Sequence, residues 1–479
     1  MLTTLTFFPV AAALLLMLTP KDNQELLYKL NIAVSLVPFV LVLLAWPMFS
    51  FEEPILSLLE SRDCIPSIGV SYSLLLDGVN LPFLAMLTFL TVVASLIPPL
   101  PGENLKKRSM LLLVWEATLI GAFLAQDYVL FLMFWALGTI PIYFLMEPSL
   151  DLEPIPTTRC YVLSSLLSIV ALGSGLLILS ATVDTSTPTI SELASSVVTH
   201  LDPDTQWWIF LAIFVGCSLR IPLFPFHIWL RLMISKLRPP AGILLVGGFI
   251  PLGVYTLLRF ALAVLPDAVA AFTLVLAAAG IVNMLFGSLA ALGTPNRQHK
   301  AAYYVMGYTG TALLGMATLT VEGISGAFYT ILSLGAAITF SLTLTYLTSK
   351  QITSQGWPLV LHGLEAAQQL RLPGFAGFVG LMLVFPPVFH SFAGMSLAII
   401  AVLFLTAIDY ARSLSETLDR PDIQKAPHPL DTSSLQWPPI GLVAAMVVLL
   451  GGSVVLGLNP ELILKVVEPA IKHVALLLD

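Results

Sequence analysis

Hydrophobic positions along this chain come in continuous runs, not in the alternation of a half-buried strand or the narrow stripe of a surface helix. The runs fall near 2–19, 30–49, 78–99, 109–125, 128–146, 160–182, 206–232, 240–263, 268–291, 300–320, 324–347, 357–390, 391–413 and 437–457. Most are about 17–25 residues long, the length at which a helix rising 1.5 Å per residue crosses a bilayer core. A transmembrane barrel would show shorter alternating segments instead. The pattern therefore predicts an all-α integral membrane protein with about 14 transmembrane helices.

Two runs, 206–232 and 357–390, are long and interrupted by proline. The first contains "CSLRIPLFPFHIWLRLM", which sets Arg220, Pro222, Pro225 and His227 close together. A proline inside a helix frees a carbonyl, and lipid tolerates that only where protein or trapped water satisfies it. Pro222 lies about as far past the start of the fourth run as Pro373 lies past the start of the ninth. Two inverted five-helix repeats, each holding a broken helix, account for that spacing. The expected organisation is helices 1–3 in 1–108, a first repeat in 109–263 and a second in 264–413. Residues 414–479 then hold the last span and a C-terminal helix.

Composition agrees with this pattern. The chain has 479 residues, of which 57% are hydrophobic and 10% charged, against about a quarter charged in soluble domains. A net charge of −7 argues against a nucleic-acid partner. Cys64, Cys160 and Cys217 are widely spaced and predict neither a metal site nor an iron–sulfur cluster. The first apolar run lacks a basic leader and a small-residue cleavage pattern, so it is expected to be a retained helix.

The basic residues orient the spans. Odd-numbered connections hold Lys21, Lys29, Lys106, Lys107, Arg108, Arg159, Arg231, Lys236, Arg238, Arg297, Lys300, Lys350, Arg412, Arg420 and Lys425. The opposite side holds Arg62, Lys465 and Lys472, with Arg259 near its edge. The positive-inside rule puts the odd connections in the cytoplasm or its equivalent, and both termini on the periplasmic, lumenal or intermembrane side. Glu52, Glu53, Glu60, Asp63, Asp184, Glu192, Asp202 and Asp204 read as solvated loop charges there. At the C-terminus, Asn459 can cap a helix with Pro460 in its first turn. Its polar stripe of Lys465, Glu468 and Lys472 suits a helix lying at the membrane interface or on a partner.

Several stretches carry a resemblance: "SYSLLLDGVNLPFLAMLTFLT", "WEATLIGAFLAQDYVLFLMFWALGTIPIYFLM", "IPLFPFHIWL", "LGVYTLLRF" and "LPGFAGFVG". Together they resemble the antiporter-like M-type subunits of respiratory complex I, a family that includes Mrp cation antiporter subunits. The resemblance implies a membrane-arm subunit with two five-helix half-channels joined by a central row of charged groups. It also implies neighbouring membrane-arm subunits and lipids as partners. No cofactor is expected on this chain; quinone, flavin and iron–sulfur clusters are expected on partner subunits. The setting implied is an energy-transducing membrane, whether a bacterial plasma membrane, a thylakoid or a mitochondrial inner membrane.

The chain departs from that family along the charged row. Ala136 stands where the fifth-helix glutamate is expected, Arg220 at the seventh-helix lysine and Pro251 at the eighth-helix lysine. Leu334 replaces the eleventh-helix histidine, and Leu381 the charged residue of the twelfth helix. The basic pair that opens the tenth helix reads Gln298 and His299. Arginine keeps its proton at essentially all pH values, so Arg220 supplies a fixed charge and is a poor relay.

The remaining ionisable groups are Glu116, Arg220, His227, His362, Glu365, Arg371, Asp409 and Arg412, with Asp127 at a matching acidic position. Glu116 is the expected ion-pair partner of Arg220. His227 is expected either to shuttle a proton or to bond a carbonyl freed at the break. The 362–371 segment reads as a polar face toward a partner or the cytoplasmic surface, or as a replacement ion path. Asp409 and Arg412, three apart, are placed to pair. These features favour a structural membrane-arm subunit with weak or absent conduction. An active proton- or sodium-translocating subunit of complex I or an Mrp assembly is the alternative, and an independent solute carrier is least supported.

Overall fold

The computed structural model describes residues 1–20, 23–49, 58–65, 70–99, 102–146, 155–182, 197, 201–349, 357–418 and 440–476. Lys21, Glu52, Glu53, Asp184, Glu192, Lys350, Arg420 and Lys425 lie outside the described residues.

The apolar runs fold as helices. α1 (Leu2–Leu18) and α2 (Gln24–Ala45) precede α3 (Leu81–Leu96) and α4 (Leu105–Leu124). α5 (Tyr128–Leu137) and α6 (Ile140–Leu145) share one run, and α7 (Ile155–Thr182) follows. α8 (Pro203–Arg220) and α9 (Ile228–Ile234) are the halves of the first broken helix. α10 (Pro239–Leu262), α11 (Pro266–Leu292), α12 (Arg297–Met316) and α13 (Val321–Ser349) come next. α14 (Trp357–Gln369) and α15 (Ala376–Ser391) form the second broken helix, then α16 (Ala393–Leu418), α17 (Ile440–Leu458) and α18 (Glu461–Leu476). Eight described helices, counting α5 with α6, are long and apolar enough to cross a bilayer. The protein is a mostly helical membrane protein.

Side-chain caps fix several helix starts. Asn23 accepts the Leu26 N–H at 3.0 Å, Asn104 the Lys107 N–H at 3.0 Å, and Asp202 the Thr205 N–H at 3.2 Å. Each satisfies a backbone donor that the first helical turn leaves unpaired. Asp202 is therefore a helix cap as well as a loop charge.

The sequence pattern predicted no β-structure, yet β1 (Leu58–Ile65) and β2 (Val70–Leu76) form an antiparallel hairpin. Glu60, read above as a solvated loop charge, sits opposite Leu74 and accepts the Leu2 and Thr3 N–H groups at 2.9 Å each. It thereby closes the start of α1. Asp127 caps α5 through the Val129 and Leu130 N–H groups at 2.8 and 3.0 Å. Its other oxygen accepts the Ser71 N–H of β2 at 3.1 Å. The family-matching acid at 127 thus fastens the hairpin to the helices.

α10 is the buried axis, packed against α3, α4 and α13. Small residues allow that approach: a Cβ on Gly247 would lie 2.3 Å from Leu90, and one on Gly248 2.6 Å from Leu87. Close backbone approach through glycine is a common way for helices to associate in lipid. Wide turns at Leu245–Phe249 and Leu257–Leu262 bracket Pro251, whose missing N–H interrupts the regular ladder. At the end of α10, Arg259 pairs with Asp77 at 2.6 Å, anchoring it to the hairpin's exit turn.

The polar stripe expected on α18 is present, with Lys465 exposed and paired to Glu461 at 2.6 Å. Its apolar face, however, is covered by this chain. Ile463, Val466, Val467 and Ile471 are buried, and the Val466 carbonyl abuts Gly78 so closely that a Cβ there would lie 2.2 Å away.

Candidate functional site

The first break begins where α8 ends at Arg220 and helix resumes at Ile228. Asn283 on α11 braces it. Its side-chain oxygen accepts the Phe224 N–H at 3.0 Å, and its amide donates to the Met306 carbonyl and the Thr309 hydroxyl, both at 3.1 Å. One fully buried amide thus connects the unwound segment to α11 and α12. Replacing Asn283 with leucine, similar in shape but unable to hydrogen-bond, should cost about 1–3 kcal/mol. The drop should appear in the thermal unfolding midpoint of the solubilised protein, and an unchanged midpoint would show that the brace carries no load.

Arg220 is 3% exposed. Its guanidinium lies 3.5 Å from the centroid of the Trp135 ring and 4.0 Å from that of Phe249. One terminal nitrogen donates to the Trp135 carbonyl at 3.0 Å. The π faces and the carbonyl substitute partly for water around the cation. The pairing with Glu116 expected from sequence does not form. Glu116 is fully buried on α4 and neither of its oxygens has a hydrogen-bond partner among the described residues. The nearby Thr91 hydroxyl donates to its own helix at Leu87.

His227 is also buried, but among the described residues it makes no bond to a freed carbonyl, and its Nδ1 has no partner there. Its ring instead packs at 4.8 Å from Phe286 and 6.5 Å from Tyr303. Aromatic packing thus takes the place of the expected bond to a freed carbonyl.

The second break lies between Gln369 and Ala376. Arg371 at φ 53° and Gly374 at φ 98° turn the chain through left-handed conformations. Arg371 folds inward, donating to the Thr311 hydroxyl at 3.1 Å and lying 4.4 Å from the centre of the Tyr308 ring.

The 362–371 segment does not present a polar face outward; it is buried within this chain. His362 Nδ1 meets Glu365 at 3.0 Å, and Arg297 of α12 reaches His362 Nε2 at 2.6 Å. The Ser341 hydroxyl of α13 donates to Glu365. Lys300, one turn beyond Arg297, pairs with Asp409 at 2.6 Å, and the Tyr304 hydroxyl donates to the same carboxylate. Asp409 is thus held by α12, a partner that the local spacing to Arg412 did not predict; Arg412 is exposed on α16.

These groups surround two small cavities that share Tyr304. One is bordered by Arg297, Lys300, His362 and Glu365, the other by Tyr303, Tyr308, Arg371 and Leu381. A polar cluster therefore runs from Arg297 to Arg371 through the second half of the fold. The positions of the family's central row are different in kind. Pro251, Leu334 and Leu381 are buried, uncharged side chains, the last of them bordering the second cavity, and Ala136 is half-buried. Among the described residues no group of three His, Cys, Asp or Glu is placed to hold a metal.

Sequence reasoning missed Asn283, the Asp77–Arg259 pair, and Lys300 with Tyr304 as partners of Asp409. For Asn283 a signal existed, since a lone amide deep in an apolar run must have a partner.

Residues 125–355 match the family described as NADH:quinone oxidoreductase/Mrp antiporter, transmembrane. The chain is 30% identical over 405 residues to NAD(P)H-quinone oxidoreductase chain 4 1 of Synechococcus elongatus, covering 80% of this chain and 74% of the relative. It is 26% identical over 497 residues to chain 4-1 of Synechocystis, covering 98% and 93%. In fold it is similar to a chain of respiratory complex I from Thermus thermophilus, with a TM-score of 0.86 at 20% identity and 100% of both chains covered. A chain of the Mrp complex from Dietzia aligns with a TM-score of 0.82 at 18% identity, covering 100% and 99%.

Proposed function

Because this chain belongs to the antiporter-like transmembrane family shared by NADH:quinone oxidoreductases and Mrp antiporters, we propose that it is a diverged M-type subunit of a complex-I-like membrane arm. In this reading it braces neighbouring membrane-arm subunits and lipids, with its own proton translocation reduced or lost. The electron donor, NAD(P)H or ferredoxin, and the quinone, flavin and iron–sulfur clusters belong to partner subunits. Fourteen spans, two inverted repeats in 109–263 and 264–413, and both termini on the side opposite the basic connections complete the proposal.

The observation that carries this reading is Arg220. A relay needs a group that gains and loses a proton and a carboxylate that modulates it. Arg220 is a permanent cation packed on Trp135 and Phe249, with no ion pair to Glu116. The buried, uncharged Pro251, Leu334 and Leu381 add support, because nothing at those positions can exchange a proton.

A second reading rests on the polar cluster between Arg297 and Arg371, which offers substitute groups for proton or sodium translocation in a complex-I or Mrp-type assembly. The test is the number of protons moved per electron pair by the purified complex in liposomes. The structural reading expects the ratio to stay at the wild-type value in both Arg220→Ala and Glu365→Gln complexes. A ratio lowered by Glu365→Gln alone supports the second reading. A ratio lowered by Arg220→Ala in an intact complex overturns the premise that Arg220 is no relay.

A further inference from the structure

The environment of Arg220 leaves a charge unbalanced. One terminal guanidinium nitrogen donates to the Trp135 carbonyl, but the other, buried, has no acceptor among the described residues. The indole N–H of Trp229, also buried, has none either. Both side chains border one cavity, about the size of a single water molecule, together with Tyr161 and Ser168.

No carboxylate is available there. The segments that supply the groups around Arg220, at 128–137, 155–182, 228–234 and 239–262, contain no aspartate or glutamate. On α8 itself the only acid is Asp204, sixteen residues away and so about 24 Å along the helix. Buried charges are stable when paired, and an uncompensated one in a membrane interior is destabilising. Arginine does not escape by losing its proton.

We propose that Arg220 binds a small monovalent anion of the halide class, chloride in the cell, in the cavity it shares with Trp229. Three of the neighbouring hydroxyls have spent their hydrogens elsewhere. Tyr161 donates to the Thr139 carbonyl at 2.8 Å, Ser168 to the Gly216 carbonyl at 2.7 Å, and Thr139 to the Ala136 carbonyl at 2.7 Å. Of the groups that border the cavity, the Arg220 nitrogen and the Trp229 indole are the buried donors with no acceptor among the described residues. A water would accept both bonds yet leave the positive charge unbalanced, whereas a halide takes the same two donors and neutralises it. The cavity's size excludes sulfate, phosphate and carboxylates. This anion would be a fixed counter-ion where the related proteins' expected carboxylate is absent, and its presence is independent of whether the subunit conducts protons.

The test uses the intact complex purified in bromide in place of chloride. An anomalous bromide peak beside Arg220 is expected in the wild-type complex. It should be lost in Arg220→Gln and weakened in Trp229→Phe, which keeps the ring and deletes the donor. Exchange of chloride for gluconate at constant ionic strength should lower the wild-type unfolding midpoint and leave that of Arg220→Gln unchanged. A wild-type map without bromide at this cavity overturns the proposal whatever the variants do, and assigns the cavity to water. If Arg220→Gln fails to assemble, the wild-type peak and its weakening in Trp229→Phe decide the matter.

Discussion

Replacing Glu103 with alanine should destabilise the protein by about 3–5 kcal/mol, the usual cost of removing one partner from a buried ion pair. Glu103 joins three segments. Its carboxylate lies 3.0 Å from Arg108 at the start of α4 and 3.2 Å from Arg238 at the start of α10. Arg108 also donates to the Ile97 carbonyl at the end of α3, at 2.9 Å. The Glu103 and Arg108 side chains are 7% and 5% exposed, so neither is screened by bulk water. Without the shared carboxylate, two guanidinium groups confront each other in a confined space. The measurement is the thermal midpoint in detergent alongside the yield of assembled complex. Glu103→Gln, which keeps size and one acceptor, should fall between wild type and alanine. An alanine variant as stable as wild type would show that Arg108 and Arg238 find other partners at no cost.

Asp409→Ala should be similarly damaging, at about 3–5 kcal/mol. It leaves the Lys300 cation, whose side chain is 11% exposed, with the neutral Ser413 hydroxyl at 3.2 Å in place of a carboxylate, and removes the acceptor of the Tyr304 hydroxyl. Tyr304 stacks on Tyr410 at 5.4 Å, so the loss should spread to the contact between α12 and α16. A second substitution separates charge from packing. Lys300→Met in the Asp409→Ala background removes that cation and should recover part of the lost stability, because buried pairs exchange for apolar groups at little net cost. Failure of the double variant to recover anything would mean that Asp409 acts through Tyr304 and not through Lys300.

The hydrophobic runs and the two proline breaks were legible in the sequence because both signals are local. A run's length and a proline's missing N–H act on their own segment whatever surrounds it. The hairpin at 58–76 was not legible, since its pairing is completed only when α5 arrives: Ser73 accepts the Gln126 N–H at 2.9 Å and Asp127 accepts that of Ser71. The site shows the same division. His362 and Glu365, three residues apart on α14, were found together by sequence and meet in space. Asp409 was matched to Arg412 by the same reasoning, yet Lys300, 109 residues earlier, holds it. Glu116 was assigned to Arg220 because a buried cation needs compensation. The structure supplies aromatic faces and a carbonyl instead, which charge counting does not reveal.

The amino-acid sequence by itself determined that this is a helical membrane protein, where its helices break, and that a permanent cation stands at the first break. Each of these depends on residue type and on neighbours within a few turns. Only the tertiary structure decided which charges pair, which carboxyl stays alone and where the polar cluster closes. Hydrogen bonds and ion pairs act over about 3 Å. That distance is set by which helices abut and at what rotation, and sequence separation carries no record of either.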